Sequence, residues 1–137
     1  MIKKLLFGSL TGSVAGTLVS LVIFIGLFGS TGEQWLQDNI DCVKQMNEMP
    51  VFAWILAILA QGLLLTAILL RFGVNDFKSG AINGTWITFL IVFWYALWTY
   101  STYKSYEIYW LPIDVLGNTL AGTVAGGVIG WLLGKVK

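Results

Sequence analysis

Four long apolar stretches alternate with short polar ones along the chain, at 5–28, 51–70, 85–103 and 111–134. Each approaches or exceeds the roughly 20 residues that carry a helix across a hydrocarbon core of about 30 Å. Lipid offers the backbone no hydrogen-bond partners, so segments of this kind cross as helices. The pattern predicts an all-α polytopic membrane protein, a single four-transmembrane-helix bundle occupying residues 1–137. The first run exceeds the roughly 7–15 apolar residues of a signal-peptide core, and no A-x-A cleavage pattern follows it. It reads as a retained first span.

The polar stretches carry their own patterns. In "TGEQWLQDNIDCVKQMNEMP" (31–50), Thr31 and Gln34 form a capping-box signature, and Leu36, Ile40 and Val43 recur at helical spacing. This predicts a short amphipathic helix at about 32–48 on the outer membrane surface, with Trp35 as its interfacial anchor. The acids Asp38, Asp41 and Glu48 argue against recruitment to anionic lipid, so the helix is expected to cap the bundle or meet a partner. Pro50 is expected at the first-turn position of the second span. "RFGVNDFKSGAING" (71–84) carries the Gly, Asn, Asp and Ser of a loop. Its Asn83-Gly84-Thr85 sequon, at the membrane edge, is a chance match. The connection at 101–110 is short, which makes the third and fourth spans antiparallel neighbours.

Composition supports the membrane assignment: 57% of residues are hydrophobic and 11% charged, against about 25% charged in ordinary soluble domains. Mean hydropathy is +0.79. Lys3, Lys4, Arg71, Lys78, Lys135 and Lys137 fall on one side of the predicted spans, and only Lys44 and Lys104 on the other. The positive-inside rule then places both termini in the cytoplasm of what is expected to be a bacterial inner membrane. The net charge of +1 gives no footprint for nucleic acid. A lone cysteine, Cys42, cannot form an internal disulfide. It could bridge two subunits, but an unpaired thiol without a role is the better reading.

The third span ends among Phe93, Trp94, Tyr95, Trp98, Tyr100, Tyr103, Tyr106, Tyr109 and Trp110. A cage for a cationic ligand is one reading. An interfacial aromatic belt is the stronger one, because the rings point around the whole helix.

Small residues mark two of the spans. Gly8, Gly12, Gly16 and Ser20 recur every fourth position in the first, and Gly122, Gly126, Gly130 and Gly134 in the last. Such glycine-zipper rows let helix backbones approach closely, which matters where lipid removes the hydrophobic gain from pairing. "TGSVAGTLV" (11–19) and "AGTVAGGVI" (121–129) share Gly, Val, Ala and Gly in register. Convergence on small residues explains this more safely than an inverted repeat. An antiparallel pairing of the two spans, with Gly12 near Gly130 and Gly16 near Gly126, is the favoured expectation. The alternative turns one row toward a second copy of the chain.

The candidate polar contacts within the membrane are Gln61, Thr17 and Thr123, with Ser13 at similar depth and Asp114 and Asn118 toward the outer end of the last span. Gln61 is expected to bond a neighbouring helix, and Asp114 to cap its own helix by favourable interaction with the dipole. The sequence has no histidine, no cysteine pair and no carboxylate deep in a span. Acid–base catalysis and a metal centre therefore lack their usual residues, and no catalytic, metal or cofactor site is expected. The first span lacks the membrane acid on which small multidrug exporters depend, and the Gly-Gly-x-Thr-Thr-Phe segment of fluoride channels is missing. The layout of "LFG" (27–29) leading to Trp35, with "PID" (112–114) opening a glycine-bearing last helix, resembles a family of uncharacterised bacterial four-span inner-membrane proteins. An aromatic-Tyr-Ser-Pro segment associated with that family before the LFG is missing here. The resemblance implies a fold and no reaction.

The expectation is thus a non-enzymatic integral membrane protein, structural or accessory, whose partners are the lipid bilayer and either further copies of itself or a larger complex. The alternative is a small channel or facilitator for an uncharged or weakly polar solute, using Gln61, Thr17, Thr123 and Asp114.

Overall fold

All four apolar stretches are helical in the computed structural model, which describes residues 1–41, 48 and 50–136. Helix α1 (Ile2–Leu21) runs on through a π-helical segment at Val22–Leu27 into α2 (Gly29–Asp38). Helices α3 (Val51–Arg71), α4 (Phe77–Thr102) and α5 (Trp110–Lys135) complete the chain. Four helical segments are long and apolar enough to cross a membrane: Ile2–Leu27, Val51–Arg71, Phe77–Thr102 and Trp110–Lys135. There is no strand among the described residues.

Local chemistry sets the helix ends, and several differ from the sequence expectation. Helix α4 starts at Phe77, well before residue 85, because Asp76 caps it: Oδ1 accepts from Ser79 N at 3.0 Å and Oδ2 from Ser79 Oγ at 2.6 Å. These bonds hold the Asp76 carboxyl below its ordinary pKa. The loop between α3 and α4 shrinks to residues 72–76. Gly73, at φ +68°, ends α3 by allowing Val74 N to reach Leu69 O at 3.1 Å and Gly73 N to reach Leu70 O at 3.2 Å. That bond pair is a Schellman stop, and Val74 is buried beside Leu69.

Pro50 is the N-cap of α3 and lies one position before the expected first turn; its carbonyl accepts from Ala53 N at 2.9 Å. Thr31 is not a cap: α2 begins two residues earlier, after Phe28, and has no side-chain cap. It ends before Asn39, whose Nδ2 donates to Trp35 O at 2.9 Å, which is short of the expected 32–48. Cys42 and Val43 lie outside the described residues.

Helix α5 is central. Half of its apolar window is buried, against 17–22% for the other three spans. Helix α4 packs along one side of it and α1 along another, while α3 lies against α1 and meets α5 more lightly. The α5 glycine row does face inward, but toward α4 and not α1. A Cβ on Gly126 would sit 2.5 Å from Gly80 O and 2.8 Å from Gly84 Cα, and one on Gly122 would run into Thr88. Gly130 and Gly134 press on the carbonyls of Asp76 and Asn75, so the lower part of the row receives the α3–α4 turn. The matching row on α4 is Gly80, Gly84 and Thr88. Only a side chain no larger than hydrogen admits this spacing, which permits dispersion and Cα–H···O contacts between backbones.

Of the α1 row, Gly8 makes the same kind of contact with α3. A Cβ on Gly8 would lie 2.5 Å from Thr66 Cγ2, and one on Gly62 2.5 Å from Ser9 O. Ser13 Oγ donates across this interface to Ile58 O at 3.0 Å. Between α1 and α5 the contact is of another kind, with Gly12 facing the Ile129 side chain and Gly16 facing Ala125 Cβ at 3.5 Å. The antiparallel register is therefore one residue away from the expected Gly12–Gly130 and Gly16–Gly126 pairs. That single residue turns a different face of α5 toward α1.

A buried cluster of Leu65, Leu69, Val74, Ala125, Ile129 and Leu133 fills the end of the bundle that carries the termini. Lys4 Nζ donates to Leu133 O at 3.4 Å at that end. Replacing Gly84 with Ala puts a methyl 2.6 Å from Gly122 O, and overpacking of this kind is expected to cost about 1–3 kcal/mol. The control, Gly32→Ala, meets nothing within 4 Å and is expected to be neutral or to stabilise by up to about 1 kcal/mol. Thermal unfolding of both variants in detergent checks the pair; equal stability would remove the α4–α5 contact from this account.

Candidate functional site

The end of the bundle away from the termini is not filled. There α1 and α3 diverge over α5, leaving a cleft of about 410 Å³. Gly12, Gly16, Thr17 and Ser20 form its α1 wall, Ile58, Gln61 and Gly62 its α3 wall, and Asn118, Ala121 and Ala125 its α5 floor. Small residues make the space, because glycine, alanine and serine leave between the helices the volume that larger side chains would occupy. The π-helical segment shapes the upper end. Its wider turn brings Ile23 and Phe24 against Gly117, where a Cβ would lie 2.9 Å from Phe24 Cζ, and sets Phe24 and Ile25 into the cleft wall. Exposed Trp54 and Ile25 flank the opening. Leu69 and Ile129, both 0% exposed, close the space below.

Four of the polar residues that the sequence nominates line this cleft: Gln61, Thr17, Asn118 and Ser13. Ser20, from the α1 small-residue row, joins them. Gln61 does not bond a neighbouring helix. It is exposed and has no side-chain hydrogen bond among the described residues. The interhelical bond at that level comes from Ser13, one helix away, because Gly62 and not Gln61 faces α1. Asn118 Nδ2 is engaged with Asp114 O at 2.9 Å. Thr123 lies elsewhere, on the α4 side of α5, where its Oγ1 sits 2.7 Å from Thr85 Oγ1. Thr123 is thus a packing residue.

Asp114 also departs from expectation. It does not cap α5; its Oδ2 accepts from the Tyr106 hydroxyl at 2.5 Å. Around that pair, Trp35, Tyr106, Trp110 and Asp114 line a second, smaller cavity of about 210 Å³. Trp35 and Trp110 meet edge to face with centroids 6.5 Å apart, and Trp35 Nε1 donates to Ser105 O at 2.8 Å, tying α2 to the α4–α5 connection. Trp110 Nε1 and Thr119 Oγ1 are buried without hydrogen-bond partners among the described residues. Most of the aromatic crowd is a surface belt, as the sequence suggests, with Trp94, Tyr95, Trp98 and Tyr103 exposed. Tyr106 and Trp110 leave it for this box. Nothing local in the sequence marks that departure, since it requires Trp35 of α2 to reach Trp110 and Ser105.

No family model, curated protein or solved structure matches the chain.

Among the described residues no group of His, Cys, Asp and Glu is placed to hold a metal ion. What the arrangement offers is an apolar cleft with a few polar groups, and beside its upper end a carboxylate held by a phenol among indoles. Burial, and then the bond to Asp114, push the Tyr106 phenol well above its usual pKa. A folded-state pKa above the unfolded one gives stability that is complete below about pH 10 and is lost as pH rises through the folded value. Tyr106→Phe is therefore expected to flatten the alkaline loss of stability above pH ~10, read by thermal unfolding across that range. An unchanged alkaline limb would disconnect Tyr106 from it.

Proposed function

We propose that the chain is a non-enzymatic integral membrane protein of the bacterial inner membrane, acting as a structural or accessory subunit. In this reading both termini are cytoplasmic and α2 lies on the outer surface, as the Lys and Arg distribution suggests. The observation that carries the reading is the blind end of the cleft. Below Gly12 and Leu65, the buried Leu69, Ile129 and Leu133 occupy the space between α1, α3 and α5. A permeation path would need a continuous polar lining; the cleft's polar lining ends at Ser13 and Gln61, and the buried Ser9 and Thr66 hydroxyls beyond it are bonded to carbonyls of their own helices.

The glycine rows support the accessory role less directly than the sequence implies. They are engaged within the bundle, where Gly80, Gly84 and Thr66 pack against them. Association with a partner or a second copy then falls to the apolar outer face of α3, where Phe52, Ile55, Leu56 and Leu63 are exposed. The channel reading keeps one supporting observation, the gathering of Gln61, Thr17 and Asn118 in one cleft.

Native mass spectrometry of the protein extracted gently from its own membrane tests the choice. A heteromeric mass is the expected result. Solute flux in liposomes that disappears on Gln61→Leu would overturn the accessory reading.

A further inference from the structure

The aromatic box and the cleft follow one another along a single face of α5. Asp114 belongs to the first, and Asn118, Ala121 and Ala125 to the second. Residues spaced by four, three and four share one side of a helix. At 1.5 Å per residue, the run from Asp114 to Ala125 measures roughly 16 Å along the axis. Polarity changes in order along it, from a carboxylate among aromatic rings to the Asn118 amide and then to alanines, with the Thr17 and Ser20 hydroxyls of α1 across the cleft.

We propose that this face binds an aminophospholipid, with its primary ammonium in the Trp35–Tyr106–Trp110–Asp114 box and an acyl chain in the cleft between α1, α3 and α5. The inference rests on the bundle being embedded in a membrane and not on the accessory role. The ammonium follows from the box. Asp114 has no Lys or Arg partner among the described residues, and an ionisable group at a membrane boundary calls for one. The Tyr106 hydroxyl fixes one carboxylate oxygen and leaves Oδ1 without a side-chain bond among the described residues, ready to accept from an N–H. Trp35, Tyr106 and Trp110 line the cavity beside that carboxylate, and aromatic faces next to an anion suit a cation.

The lipid, as the source of that ammonium, follows from the cleft. It begins one turn along α5 from Asp114, opens beside exposed Trp54 and Ile25, and its volume of about 410 Å³ lies within the ~300–1,000 Å³ of typical ligand sites. A free amine would use the box and ignore the cleft. An amphiphile has its polar and apolar parts in the order the face presents.

The test is native mass spectrometry of the purified full-length chain, offered equal amounts of phosphatidylethanolamine and phosphatidylglycerol with identical acyl chains. The ethanolamine lipid is expected to be retained over the glycerol lipid by about tenfold. Asp114→Asn, which preserves shape and can still meet the Tyr106 hydroxyl, is expected to bring the two to near equality. Free ethanolamine in excess is expected not to displace the lipid. Equal retention of the two lipids by the unmodified chain would overturn the proposal without appeal to any variant. Displacement by free ethanolamine would overturn the role of the cleft. The assay uses the isolated chain, so its failure leaves the mass of the native assembly, and with it the accessory reading, standing on its own result.

Discussion

The fold depends on how closely two helix backbones can approach in a medium that does not reward apolar burial. Between α4 and α5 the separation is so small that a single methyl on Gly84 or Gly126 would collide with main-chain atoms of the facing helix. In lipid this contact replaces the hydrophobic effect as the source of specificity, because dispersion and weak Cα–H···O bonds fall away steeply with distance. The α1–α3 pair uses the same device with Gly8 and Gly62, reinforced by a Ser13 hydroxyl bonded to a backbone carbonyl. Two tight pairs are then joined through α5 by ordinary side chains, chiefly Ile129 and Ala125.

That division makes the molecule asymmetric from end to end. Where the pairs are joined by Leu65, Leu69, Ile129 and Leu133, the bundle is filled. Toward the other end the residues between the pairs are Gly16, Thr17, Ser20, Ala121 and Ala125, too small to fill the gap. The cleft is therefore a consequence of the same small residues that allow close packing, used where no helix comes close enough to need them. Above it, the indole of Trp35 ties α2 to the α4–α5 connection and brings an aromatic wall over Asp114.

The misreading of the glycine rows has a specific origin. Gly80 and Gly84 lie in a stretch rich in Asn, Asp and Ser, so they read as turn punctuation; the Asp76–Ser79 cap shows that they are helical. Without them the α5 row has no partner except the row on α1, which it resembles. Gly62 and Thr66 were hidden in the same way, inside a strongly apolar α3 where nothing flags one isolated glycine. Gln61 is a polar residue of this stretch, yet its neighbour Gly62 makes the contact.

From the sequence alone come the four helical spans, with near boundaries everywhere but the start of α4, the short connection that makes α4 and α5 neighbours, and the presence of two faces made for close packing. These follow from hydropathy and residue size, which act locally. Which face meets which helix was decided only in three dimensions, because a one-residue change of register or a helix start moved by eight positions redirects every small side chain. The aromatic box belongs to the same class. Trp35 and Asp114 are far apart in the chain, and only the contact of the Trp35 indole with Trp110 and Ser105 brings them to one cavity.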